Sequence, residues 1–165
     1  AVVLDANLPE ETLQYLASHV TAPLYADPVS TAKAGRMQEI LPRLAGFKPN
    51  ALEAEALTGE SDPERAARAL VSAGVRRVFL SLGRQGMLAA DAEQLMNLPC
   101  ELARVINTTG AGDAAMAAIV CAGVHGLDLE QSLRFALKAG AIACECVEAN
   151  NPALAELPER FFNEE

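Results

Sequence analysis

The sequence predicts an α/β fold with a largely parallel sheet covered by helices on both faces, and two observations carry that expectation. Short apolar runs with strand character alternate with segments whose apolar residues recur at helical spacing. Four polar residues, Asp5, Asp27, Asn50 and Ser81, fall at the carboxyl ends of such runs. Ligands of parallel sheets bind beyond those ends, so these residues mark the edge where a site is expected.

The elements follow in order. Val2 to Asp5 is a β-branched run, and after Pro9 the positions Leu13, Leu16, Ala17 and Val20 repeat at helical spacing. A second strand covers Leu24 to Asp27, and a helix is expected over about Thr31 to Leu44. A short strand then ends at Lys48-Pro49-Asn50. Asn50 suits the N-cap of a helix beginning Ala51-Leu52-Glu53 and stopping at Gly59. Asp62 with Pro63 opens another helix, which runs to Gly74. Arg77 to Leu82 is the most strand-like segment of the chain. Gly83 to Gly86 turns it into a second run, Met87 to Ala90, as a hairpin or edge. From Ala111 to about Val147 nearly every residue favours helix, with a break at Gly123 to Asp128, so two packed helices are expected.

Composition bounds the function. The 165 residues, 51% hydrophobic and 21% charged, describe one soluble globular unit with one core. Thirteen basic and 22 acidic side chains give a formal charge of −9, which repels nucleic acid and offers no polybasic surface to a membrane. No apolar run approaches the roughly 18–20 residues that cross a bilayer, and no signal-peptide pattern opens the chain; a cytoplasmic protein is expected. Cys100, Cys121, Cys144 and Cys146 form no CxxC pair and have no metal-ligand spacing, so they are expected as reduced, mostly buried thiols. The first residue is Ala and opens directly into a strand, from which a fragment of a larger sheet is expected.

The segment that carries chemistry is Asn107-Thr108-Thr109-Gly110-Ala111-Gly112-Asp113, a small-residue turn running into a long helix. Consecutive backbone N–H groups at a helix start make an anion pocket, and glycines let a ligand approach closely. Asp113 falls in the first helical turn, where the helix dipole favours negative charge and where a carboxylate can take a proton from an attacking hydroxyl. The same residues equally suit a plain tight turn with Asp113 as a capping group. No GxxxxGK[ST] or strand-opening GxGxxG occurs, so neither a P-loop nor a dinucleotide module is indicated.

Asn107 to Asp113, followed by Ala-Ala-Met-Ala-Ala, resembles the C-terminal signature of PfkB carbohydrate and nucleoside kinases. Lys48-Pro49-Asn50-Ala51-Leu52-Glu53, continuing to Gly59, resembles that family's NxxE element at the right distance upstream. The resemblance implies a ribokinase-like, three-layer α/β/α fold, of which residues 1–165 would be the C-terminal nucleotide-binding and catalytic part, the N-terminal substrate and lid half being absent. It implies ATP-dependent phosphorylation of a sugar or nucleoside hydroxyl, with ATP and magnesium as cofactors, an isolated chain that is inactive, and a homodimeric full-length protein. Asp113 would be the catalytic base, and Gly110, Ala111 and Gly112 the anion-hole donors. Glu53 would place magnesium through water, with Asn50 beside it facing the phosphates. Ser81, Gly83 and Gly86 resemble the family's nucleotide loop, although Thr is more usual than Ser at the first position. Lys138, Ala139 and Gly140 fall where adenine lies in relatives.

Asn107 and Thr109 would face a monovalent cation such as K+. Leu137 and Glu148 depart from the Asn and Gly that many relatives carry near the nucleotide and in the cation loop, which puts cation dependence in doubt. Lys33 reads as a solvated lysine, and His19 and His125 have no catalytic role assigned. Two other readings stand beside the kinase: a non-catalytic nucleotide-binding module, and an unrelated α/β binding protein whose glycine turn is only structural.

Overall fold

The structure is a computed structural model that describes residues 1–100 and 105–163. It divides into two compact units, Ala1–Leu98 and Pro99–Glu165, where one core was expected from the sequence. Each unit has a buried apolar cluster of its own.

The first unit is a six-stranded sheet in the order β1-β2-β3-β4-β5-β6. Strands β1 (Val2–Asp5), β2 (Leu24–Asp27), β3 (Leu44–Phe47) and β4 (Val78–Ser81) pair in parallel. Strands β5 (Met87–Ala90) and β6 (Leu95–Leu98) continue the sheet antiparallel. The hairpin at Gly83–Gly86 is the one the sequence indicated, whereas β6 was not expected: Leu95-Met96-Asn97-Leu98 is short and only partly buried, so its alternation is weak.

Helices α1 (Glu10–His19), α3 (Ala51–Thr58) and α4 (Pro63–Ser72) stand where spacing and caps place them. Asn50 caps α3 reciprocally with Glu53: its Oδ1 accepts the Glu53 N–H at 2.9 Å, while Glu53 Oε2 accepts the Asn50 N–H at 2.8 Å. Gly59 ends α3 in the left-handed conformation, at φ 75°. Asp62 accepts the Arg65 N–H at 2.9 Å to start α4. The helix expected over Thr31 to Leu44 is different. It is a single turn, α2 (Thr31–Ala34), followed by a 3-10 stretch over Gly35–Arg43, and Leu44 already belongs to β3. Pro42 lies inside that stretch and lacks the N–H a regular helix needs. Phe47, Phe79, Leu24, Leu44, Leu70 and Leu80 are all but inaccessible and fill the first unit; truncating one such Phe to Ala typically costs about 3–5 kcal/mol.

The second unit is the helix pair α5 (Ala111–Val124) and α6 (Leu129–Cys144) with a short terminal helix, α7 (Leu157–Asn163). Asp128 caps α6 through the same reciprocal pattern with Gln131. Ala118, Ala122 and Ala139 lie in the core with Phe135, Leu157 and Phe161, and the Phe135 and Phe161 rings stack with centroids 4.6 Å apart. The terminal helix was not read from the sequence, because its two aromatics are adjacent rather than spaced by a helical turn. Among the described residues no helix is long and apolar enough to cross a membrane. Of the four thiols only Cys144 is buried; Cys100, Cys121 and Cys146 are partly exposed, so the expectation of mostly buried cysteines holds for one of four.

The first unit has one strained residue. Val29 has a φ of 64°, a left-handed conformation that costs an L-residue roughly 1–2 kcal/mol. It is the centre of a γ-turn closed by the Ser30 N–H to the Pro28 carbonyl at 2.6 Å, and Asp27 Oδ1 holds the Val29 N–H at 2.8 Å. Because glycine enters this region without a steric penalty, Val29→Gly is expected to raise the stability of the protein by about 0.5–1 kcal/mol. Urea unfolding of the two proteins measures the difference, and a loss of stability would show that the turn is not strained.

Candidate active site

Parallel pairing brings the strand ends of the first unit to one edge. Asp5 stands opposite Asp27 in register, and Asn50 bridges Ser81 in parallel. The turn after each strand is fixed by a side chain from that edge. Asp5 Oδ1 accepts the Asn7 N–H at 2.8 Å, and Asp27 Oδ1 accepts that of Val29. The Ser81 N–H donates to the Pro49 carbonyl at 2.9 Å, with its hydroxyl 3.4 Å from the same oxygen.

At the centre of this edge lies an ion pair that the sequence reading did not identify. Lys48 Nζ is 2.8 Å from Asp27 Oδ2, with the lysine side chain 7% exposed. A lysine this deep is held only if a carboxylate and hydrogen bonds compensate the lost hydration. The signal was present: Lys48 follows Leu44-Ala45-Gly46-Phe47, an apolar strand in which an unpaired charge is untenable. Asp27 thus divides its two oxygens between the strained Val29 turn and the buried lysine.

Glu53 is 4% exposed at the first turn of α3. Burial pushes its carboxyl above the ordinary glutamate range and the negative Asp27 adds to that, while the Asn50 N–H and Lys48 pull the other way. Glu53 therefore does two things: it closes the capping box and presents a carboxylate near Asp27 and Lys48. Hard oxygen donors of this kind suit magnesium held through water and phosphate oxygens. Gly83 (φ 60°) and Gly86 (φ 100°) both require the conformations that glycine allows, and the loop between them is closed by the Gly86 N–H to Gly83 and the Leu82 N–H to Gly86.

In the second unit the glycine turn stands at the start of α5. Gly110 is the N-cap at φ 86°, which leaves Ala111, Gly112 and Asp113 as the first three helical residues. The Ala111 N–H donates weakly to Thr108 at 3.3 Å. Asp113 is exposed, and its carboxylate has no hydrogen-bond or ion-pair partner among the described residues. A second constraint on Gly110 is spatial: a Cβ there would lie 2.2 Å from the Ala149 carbonyl oxygen. The turn and the loop after α6 therefore meet backbone to backbone.

The residues expected around the adenine and the cation are placed as follows. Lys138 is exposed, with Nζ 6.0 Å above the Phe161 ring. Ala139 is buried in the helix-pair core, and Gly140 packs near the Ala111 carbonyl and Ala115. Asn107 donates from Nδ2 to the Val147 carbonyl at 2.9 Å and accepts the Thr109 N–H on Oδ1 at 3.0 Å. Both ends of its amide are thus engaged, and the Asn107 nitrogen, which can only donate, is the end turned to the Val147 carbonyl. Thr109, the other residue expected at the cation, meets Asn107 through its backbone N–H. Lys33, expected to be solvated, is partly buried and donates to Asn7 Oδ1 at 2.6 Å. His19, exposed, stacks on Tyr15 at 4.1 Å, and His125, also exposed, lies 4.7 Å from Phe162.

Two outcomes follow from this geometry. Gly110→Ala places a methyl group against the Ala149 carbonyl in a backbone region closed to alanine, so a loss of more than about 2 kcal/mol is expected in thermal or denaturant unfolding. For Glu53 the folded-state pKa is raised, so the folded protein binds the extra proton. The stabilisation is complete below the ordinary glutamate pKa and is lost as pH climbs toward the raised value. Glu53→Gln keeps an acceptor for Asn50 without the charge. It should match the wild type in acid and exceed it in stability at neutral pH; equal stability at both would remove the burial effect.

Comparison with known proteins places this arrangement. The pfkB family of carbohydrate kinases matches residues 3–156. The chain is 35% identical to pseudouridine kinase of Escherichia coli K12 over 162 residues, which is 93% of this chain and 51% of that protein. It superposes on ribokinase from Thermotoga maritima with a TM-score of 0.85 at 29% identity, covering 98% of this chain and 56% of that one. The structure of Arabidopsis thaliana ribokinase complexed with ribose and ATP matches with a TM-score of 0.80 at 26% identity, over 94% of this chain and 55% of that one. The chain spans about half the length of the curated relatives it matches. The expected ribokinase-like α/β fold with a mostly parallel sheet is the one these structures share with it, and the chain belongs to the pfkB family of carbohydrate kinases.

Proposed function

We propose that the chain is the C-terminal, nucleotide-binding and catalytic half of an ATP-dependent kinase that phosphorylates a sugar or nucleoside hydroxyl, with pseudouridine as substrate and pseudouridine 5'-phosphate as product. The observation that carries the reading is Asp113, an exposed carboxylate without a partner among the described residues, in the first turn of a helix that opens on Gly110. A base must meet a substrate hydroxyl, and a carboxylate already committed to a salt bridge would not. Asp113 takes the hydroxyl proton, and the Gly110, Ala111 and Gly112 amides hold the transferred phosphoryl group, with the helix dipole aligned to favour its charge.

Asn50, Ser81, Gly83 and Gly86 serve the nucleotide phosphates from the sheet edge, and Glu53 holds magnesium through water. When bound, that ion neutralises charge shared among the phosphates. Lys138 and the backbone at Gly140 face adenine, and the buried Ala139 keeps that helix turn in place. The preference for pseudouridine is supported by the 35% identity to the E. coli enzyme; another sugar, such as ribose, is the alternative. The same reading takes the full-length protein as a cytoplasmic homodimer and the isolated chain as inactive. K+ has no place in it, given the engagement of Asn107.

The test is ATP-dependent phosphorylation of pseudouridine, uridine, ribose and fructose 6-phosphate by the full-length protein, beside Asp113→Asn. Transfer to pseudouridine is expected, with kcat reduced by roughly 10²–10⁴-fold in the variant. Transfer to another member of the panel would move the substrate but keep the mechanism. Variant activity near that of the wild type would remove Asp113 as the base.

A further inference from the structure

We infer that the Asn107 side-chain amide ties the anion-hole turn to the loop at 145–151 in place of a monovalent cation, so that the geometry of the turn is independent of K+. Three groups of contacts join these segments. The Ile106 and Asn107 N–H groups both donate to the Cys144 carbonyl, at 2.8 and 3.2 Å, satisfying an acceptor at the end of α6 that the helix leaves open. Gly110 lies against the Ala149 carbonyl so closely that no Cβ fits. Between them, the Asn107 amide reaches the Val147 carbonyl at 2.9 Å.

The orientation of that amide is forced. Its oxygen meets the Thr109 N–H, which can only donate, and its nitrogen meets the Val147 carbonyl, which can only accept. Turning it over would set donor against donor and acceptor against acceptor. An aspartate of the same shape would meet Thr109 equally well, but its second oxygen would face the Val147 carbonyl oxygen at a separation that a cation or a proton must bridge. Asparagine carries its own bridging hydrogens. Asn151 does the same on the far side of the loop, donating to the Ile142 carbonyl at 2.6 Å and accepting the Ala153 N–H at 3.0 Å, so both ends of the loop are held by neutral amides. Asn107 is on this account a positioning residue: it touches neither nucleotide nor substrate and acts through the placement of Gly110 to Asp113.

The inference deepens the proposed kinase site and rests on that reading only for the role of the turn; its test reads backbone protection, so its failure is separable from failure of the kinase assignment. Amide hydrogen exchange is measured over residues 105–111 and 145–151 in KCl and in choline chloride at equal ionic strength, for the wild type, Asn107→Asp and Asn107→Ala. The wild type should exchange equally in both salts. Asn107→Asp should exchange about tenfold faster in choline chloride, as expected for the loss of a tertiary hydrogen bond, and should recover in KCl. Asn107→Ala should be faster in both salts alike. Wild-type protection that rises severalfold in KCl over choline chloride would overturn the inference without any variant. So would wild-type exchange rates in Asn107→Ala, or an Asn107→Asp protein that K+ fails to restore.

Discussion

The sheet edge depends on the pairing of Lys48 with Asp27. A lysine ammonium cannot lie at 7% exposure without a countercharge, and Asp27 is the carboxylate at the end of the neighbouring strand. Once they pair, the ends of β2 and β3 are fixed relative to each other, and Asn50, two residues beyond Lys48, has one place to stand. The cap of α3 follows, and Glu53 is drawn in beside the pair. Ser81 then closes the row by bonding Pro49. One buried charge thereby orders four polar groups that would otherwise sit on independent loops. Its alternative, an apolar residue at 48, would leave the Asp27 carboxylate without its countercharge and Glu53 without the positive charge that offsets Asp27.

The two units present negative charge and its receptors in different ways. In the first, carboxylates are crowded and partly buried, which raises the cost of ionising Glu53, a cost that a cation beside it would lower. In the second, a single carboxylate stands in solvent at a helix start, where nothing among the described residues competes for it. The two roles proposed above ask for those opposite environments: a magnesium site would gain from concentrated charge, a base from an available lone pair.

How much was legible in the sequence varied with the range of the interaction. Caps and turns depend on residues three or four apart, so Asn50 with Glu53, Gly59, Asp62 with Pro63 and the Gly83 to Gly86 hairpin could all be read from spacing. The stretch at Gly35–Arg43 went wrong because apolar periodicity survives in a 3-10 segment while Pro42 forbids the α-helical bonds. Strand β6 and helix α7 were missed since each is defined by what it packs on rather than by its own pattern. The Lys48–Asp27 pair, 21 residues apart, needed the parallel register before it could be seen. For Asn107 the motif supplied the residue but not its work, which depends on where the Val147 carbonyl lies.

Gly110 shows why such a short turn tolerates so little variation. Its φ of 86° alone would admit asparagine at modest cost, and turns with that substitution are common. The Ala149 carbonyl removes that option, because any side chain would displace the loop at 145–151. That loop is itself pinned by Asn107 and Asn151, so the displacement cannot be absorbed locally and would pass back through Thr109 into the first turn of α5. The amides there and the Asp113 carboxylate would move together. On the proposed reading the base is held by backbone and neutral side chains throughout, so steric change at Gly110 should displace it far more than a change of salt.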